Sequence, residues 1–114
     1  MAFSNKTYQP VQSITVEAVE ELPAFRFVSH LGSICAQGGR ALGVTEVDWV
    51  NGELAAVVTL GTIAVETTTT INAGDDVAAG LLGKAVTAGQ DDKVNGRALD
   101  SCTGAGFVRI KIVP

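Results

Sequence analysis

The stretch "WVNGELAAVVTLGTIAVET", residues 49–67, decides the fold. From Glu53 to Glu66 it is a proline-free run of mostly Val, Ile, Ala and Thr, residues that suit a pleated surface, and it predicts one long strand. Asn51-Gly52 just ahead of it is a favoured type I′ pair, since both central positions of that turn need positive φ, so a hairpin is expected there. Gly61 stands in the middle of the strand. A glycine in such a place marks a bulge, a bend at a barrel corner or the close approach of another backbone.

The pattern extends in both directions. In "SITVEAVE", residues 13–20, Ile14, Val16 and Ala18 alternate with Thr15 and Glu17, which predicts a strand. Pro23 breaks it, and "AFRFVSH" resumes with Phe25 and Phe27 on the face opposite Arg26 and Val28. Downstream, Thr67–Thr70 reads as an edge or loop, Ala73-Gly74-Asp75 as a turn, "LLGKAVTAG" as a short strand, and "QDDKVNG" as a polar loop ending in a second Asn-Gly pair. The closing "FVRIKIV", 107–113, is a strand with Val108, Ile110 and Ile112 inward and Arg109 and Lys111 outward. No window carries a long apolar stripe at helical spacing, and a short helix near 75–80 or 96–102 is the most the pattern allows. The expected fold is all-β, a small compact antiparallel β-barrel or sandwich over residues 13–114. Before it, "MAFSNKTYQPVQ" is polar, contains Pro10 and has no period, so residues 1–12 read as an arm, extended or disordered when alone.

Gly-Arg-Ala-Leu occurs twice, in "GGRALG" at 38–43 and in "NGRALD" at 95–100, each followed after a turn-rich gap by a β run. The two segments suggest a degenerate repeat in which a glycine bend feeds a strand, with Ala and Leu packing and the arginine at the rim.

At 114 residues the chain is one domain with a single modest core. Twelve acidic residues against eight basic leave a net charge of −4, and the cations are spread thinly along the chain. Phosphate-backbone binding needs clustered cations, so the pattern argues against a nucleic-acid partner. Charged residues are 18% of the chain, below the usual quarter, which suggests that partners cover part of the surface. The N-terminus lacks the basic start and apolar run of a signal peptide, and no apolar stretch is long enough for a membrane span, so a soluble protein made in a cytoplasm is expected. Cys35 and Cys102 have no Cys or His at ligand spacing, and without an export signal they are expected as two buried free thiols.

Tests for chemistry return little. A serine or cysteine nucleophile needs a base, and His30 is the only histidine; no motif marks an orienting acid for it, and a histidine at a strand end reads as structural. Asp75-Asp76 and Asp91-Asp92 sit in turn sequences, where adjacent aspartates cap turns rather than face each other across a cleft. Neither pair has the spacing of a calcium loop, and "QGGRALG" has neither Walker nor dinucleotide-binding spacing. No metal, cofactor or enzymatic activity is expected. Arg40 and Arg97 read as partners in salt bridges or inter-subunit hydrogen bonds, or as solvated arginines. Trp49 is an anchor of the core or of an interface, and its sequence context fits both.

The order of "SITVEA", "GGRALGVTEVD", "GELAAVVTLGTIAVE", "INAGDDVAAG" and "VNGRALDSCTGAGFVRIKIV" resembles the small capsid decoration proteins of tailed phages, also called cement or head-stabilisation proteins, over residues 12–113. The resemblance implies a homo-oligomer, a trimer, on the outer surface of the expanded capsid of the virion, bridging neighbouring major capsid proteins. It also implies an arm that adds to a strand edge of the capsid protein, with Phe3, Asn5, Lys6, Tyr8, Pro10 and Gln12 at the capsid contact. Arg40, Trp49 and Arg97 are then candidates for contacts between subunits. Two alternatives stand beside it: another phage structural part of the tail or head–tail connector, and a small-ligand-binding β module with a pocket lined in part by "TTTTINAGDD".

Overall fold

One strand, β4 (Leu54–Thr67), organises the molecule, and Gly61 divides it. The structure, a computed structural model, describes residues 7–113. The C-terminal half of β4 belongs to a closed five-stranded barrel. Thr62–Thr67 pairs antiparallel with β8 (Gly106–Ile112), Ile63 opposite Ile110 and Val65 opposite Val108. From β8 the ring passes through β7 (Gly96–Ala98), β5 (Asp76–Ala79) and β6 (Ala85–Thr87), then returns to β4 by one parallel bridge, Thr67 to Ala85. Thr67 is buried, and its hydroxyl donates to the Ala85 carbonyl at 2.8 Å, so a side chain reinforces the closure where the ladder is shortest.

The N-terminal half of β4 carries a second sheet. There β1 (Pro10–Glu17) lies along one edge of β4, β3 (Gly43–Thr45) along the other, and β2 (Phe27–Val28) outside β3. Successive strand residues point to opposite faces, and both faces of β4 are used. Ala55 and Val57 pack with Ala18, Leu22 and Val28, while Val58 joins Phe27, Val44 and the barrel interior. At Gly61, φ is +105° and a Cβ would lie 2.5 Å from the Gln9 carbonyl oxygen and 2.8 Å from the Val11 nitrogen. The β1–β4 register shifts twice beside it, between Pro10 and Gln12 and between Gln12 and Ser13. Bulge and close approach, both expected of this glycine, occur together.

Several local expectations are corrected. Asn51-Gly52 forms a turn closed by Glu53 N–H to Val50 carbonyl (3.1 Å), but only Gly52 has positive φ (94°), the pattern of a type II turn rather than type I′. The hairpin is wide rather than tight: β3 pairs antiparallel with β4 only at Val57 and Val58, because the chain just before the turn is held elsewhere, Leu22 and Trp49 exchanging backbone hydrogen bonds of 2.8 and 2.9 Å. The first strand runs over Pro10–Glu17 rather than 13–20. Phe25 adopts φ 61°, so β2 starts only at Phe27, and Val28 is buried in the second core. The segments that allowed a helix are β5 and β7. The helical piece is a 3-10 turn, Leu81–Gly83, inside the expected "LLGKAVTAG" strand.

The repeated Gly-Arg-Ala-Leu is no structural repeat. Gly39–Leu42 is a loop ahead of β3, whereas Gly96–Ala98 is strand β7. The two copies are instead joined by Asn95, which is buried: its Oδ1 accepts from Ala41 N–H at 3.0 Å and its Nδ2 donates to the Gly39 carbonyl at 3.1 Å. Asn95→Leu strands both backbone groups, and a loss of about 2–3 kcal/mol in urea unfolding is expected. Asn95→Asp keeps the acceptor for Ala41 but turns a carboxylate toward a carbonyl. Its stability should therefore fall at neutral pH and recover partly on acidification, as the carboxyl gains a proton that can donate to Gly39.

Candidate functional site

The residues screened for chemistry are occupied structurally. Asp75 accepts from Asn72 N–H (3.0 Å) and Asp92 from Gly89 N–H (2.8 Å), both as turn caps. Cys35 and Cys102 are free thiols; Cys35 is buried, which pushes its pKa up and holds it as an unreactive thiol, while Cys102 is half-buried. His30 is exposed at the rim of a groove described below. Among the described residues no group of three or more His, Cys, Asp or Glu side chains is placed to hold a metal ion.

The arm residues fall in two groups. Phe3, Asn5 and Lys6 lie outside the described residues. From Thr7 onward the arm is laid on its own domain. Arg109 Nη1 donates to the Thr7 carbonyl (3.1 Å), and Gln9 exchanges bonds with Thr62, N–H to Oγ1 at 2.7 Å and carbonyl from Thr62 N–H at 3.1 Å. Tyr8 meets Phe25 edge-to-face at 6.1 Å, and Phe25 meets Phe107 likewise at 5.8 Å. Burial and the nearby Glu46 raise the Tyr8 pKa above the usual phenol value. Pro10 and Gln12 are exposed on β1, where seven of the eight residues are exposed and Val11 reaches 68%.

Beside β1 lies a groove of about 390 Å³. Ile14 of β1, Leu60 of β4, Val94 and Val113 supply its exposed apolar surface, and Gln12 and Arg40 border it together with Lys93. No carboxylate lines it. Arg40 and Lys93 have no ion-pair partner among the described residues. Arg97, by contrast, pairs with Asp76 directly across the β5–β7 ladder at 3.4 Å, an exposed contact of small energetic value. Trp49 borders a second groove, of about 280 Å³, with Glu21, Asp48, Pro23 and Val50. Part of the indole packs on the second core, and its N–H is buried without an acceptor among the described residues.

One feature escaped sequence reading. Leu81 and Leu82 are 71% and 59% exposed on the turn between β5 and β6, and Leu82 holds φ 60°. Arg26 Nη1 fixes the turn through the Leu82 carbonyl (3.2 Å), and Arg26 is itself paired with Glu66 at 2.9 Å. The signal lay in the flanking glycines of "GLLG", which place two leucines on a turn rather than in a strand. Left-handed backbone at a non-glycine residue stores strain that a surface role can justify. Leu82→Gly is expected to raise stability by about 0.5–1 kcal/mol in urea unfolding, whereas a glycine inside an ordinary strand lowers it by a similar amount.

A family model described as phage cement protein matches residues 6–112. In structure the chain is similar to the N base of head fiber gp8.5 in bacteriophage phi29. The TM-score is 0.73 at 23% sequence identity, over 90% of this chain and 93% of that one. At such identity the likeness shows the shared fold alone. No curated protein matches the chain in sequence.

Proposed function

The chain belongs to the phage cement protein family, capsid-associated structural proteins of the virion, and from that premise we propose that it binds the outer surface of the expanded capsid and stabilises it by bridging neighbouring major capsid proteins. The observation that carries the proposal is β1. Stable monomers blunt an edge strand with charge, proline or bulges. Here Pro10 and the bulges protect its start and Glu17 its end, while Ser13–Val16 between them is regular, uncharged and mostly exposed. A strand of that kind is suited to being covered, and an extended capsid segment gains main-chain hydrogen bonds by lying along it.

On this proposal Pro10 and Gln12, with Phe3, Asn5 and Lys6 ahead of them, meet the shell. Tyr8 is committed to Phe25 and serves to hold the arm. Repetition over the capsid adds avidity to each weak contact, more so for a trimer. The head fiber base that shares the fold is by its name part of the phage head, which favours a place on the head over the tail or the connector. The test is co-sedimentation of purified protein with expanded and with immature capsids. Binding to the expanded form alone is expected; binding to neither overturns the proposal.

A further inference from the structure

We propose that copies of this chain join head to tail, the basic groove beside β1 of one copy receiving the acidic Trp49 face of the next. The proposal rests on the reading of the chain as an oligomeric capsid protein and names the contact that builds the oligomer.

Charge carries the argument. Acidic residues outnumber basic ones twelve to eight, yet Arg40 and Lys93 converge on a groove with no carboxylate in its lining. The Trp49 groove is the converse: Glu21 and Asp48 line it, and no cation does. Both are rimmed by exposed branched side chains, Ile14, Leu60, Val94 and Val113 on the basic groove and Val50 on the acidic one, with Val47 exposed in the same segment. Each therefore combines an apolar floor with a single sign of charge, the make-up of an interface whose register is set by complementary potential.

The signs also restrict which faces can meet. Two basic grooves repel, and so do two acidic ones, so neither face can pair with itself about a two-fold axis. The basic groove must therefore meet the acidic face of another copy, and where that contact runs one way round, as proposed here, its closure gives a ring. A ring of three is the smallest such assembly beyond a two-fold pair. The contact also uses two residues that the sequence singled out, Arg40 on one copy and Trp49 on its neighbour. Arg97 stays with Asp76 of its own chain.

Light-scattering mass and sedimentation equilibrium of three variants test this. Arg40→Glu with Lys93→Glu reverses the basic groove at residues whose side chains make no ion pair among the described residues. Glu21→Lys with Asp48→Asn reverses the other face, and the asparagine keeps an acceptor for Ala24 N–H, now served by Asp48 at 2.8 Å. Each pair of substitutions should weaken association at least a hundredfold with an unchanged circular-dichroism spectrum. All four together should recover it to within tenfold. Wild-type assembly should also weaken with added salt. A monomeric wild type, a reversed groove that assembles as before, or a folded fourfold variant that stays monomeric overturns the proposal. Capsid co-sedimentation of the same proteins separates the two ideas. A wild-type oligomer that ignores expanded capsids sinks the capsid reading and leaves this contact standing, and a wild-type monomer that binds them does the reverse.

Discussion

Gly61→Ala is expected to cost about 3–5 kcal/mol and to lift the N-terminal segment from β4, while Gly52→Ala, at nearly the same φ, costs only about 1–2 kcal/mol. The comparison separates two effects that usually come together. Both glycines have positive φ, +105° and +94°, so both substitutions pay for a backbone conformation that L residues avoid. At Gly52 a Cβ would meet nothing within 4 Å. At Gly61 it would press on backbone, the Gln9 carbonyl oxygen at 2.5 Å and the Val11 nitrogen at 2.8 Å, which cannot swing aside as a side chain can. The excess of about 2 kcal/mol or more is the energy of that close approach. Urea unfolding measures it, and hydrogen exchange locates it: in Gly61→Ala the amides of residues 9–14 should lose protection ahead of those in β8. Equal losses for the two variants would mean that the arm does not depend on this glycine.

Gly61 also shows what is legible in the sequence. A glycine inside a fourteen-residue β run allows a bulge, a bend or a close approach, and two of the three are realised at once. The strands with a strong local pattern, β4 and β8, are read nearly to their ends, and Val108, Ile110 and Ile112 face inward as their alternation requires. Pairing partners are another matter. β4 takes β1 and β3 on its first half and β8 on its second, and the barrel shuts through one parallel bridge at Thr67. Apart from β3, the strand just before β4, these links join residues that are far apart in the chain, and no local period encodes them. The Asn-Gly turn fails as the signal of a tight hairpin because Leu22 captures Trp49, so β4 meets the strand behind it, β3, only further along, at Val57 and Val58.

The proposed interaction surface is legible only in fragments. Arg40 and Trp49 stand out individually in the sequence and Gln12 through the family resemblance, but the groove that gathers Gln12 and Arg40 with His30, Leu60, Lys93 and Val113 draws on six separate parts of the chain. Its basic character is invisible to a count along the sequence, where the cations look evenly spread. Folding concentrates them. Phe25 is a similar case: its left-handed backbone delays the start of the strand that alternation predicted, and in exchange its ring reaches both the arm and the barrel.

That exchange yields the other large effect. Phe25→Ala should lower stability by about 3–4 kcal/mol, the usual cost of emptying a buried aromatic site, without relieving the positive φ. The ring is nearly buried and stands edge-on between Tyr8 of the arm and Phe107 of β8, so its loss cuts the tie between them. Tyr8→Ala alone removes a half-buried ring and should cost about 1–2 kcal/mol. If the arm is docked as the structure shows, the double variant loses less than the sum, by about 0.5–1.5 kcal/mol, because the Tyr8–Phe25 contact is counted twice in the single variants. Additive losses would mean that the arm is already free in solution. The same cycle bears on attachment. If Tyr8 preorganises Pro10 and Gln12 for the capsid, folded Tyr8→Ala protein should bind expanded capsids several-fold more weakly. If the capsid instead draws the arm off the domain, Tyr8→Ala removes a contact that must be broken first, and binding should strengthen.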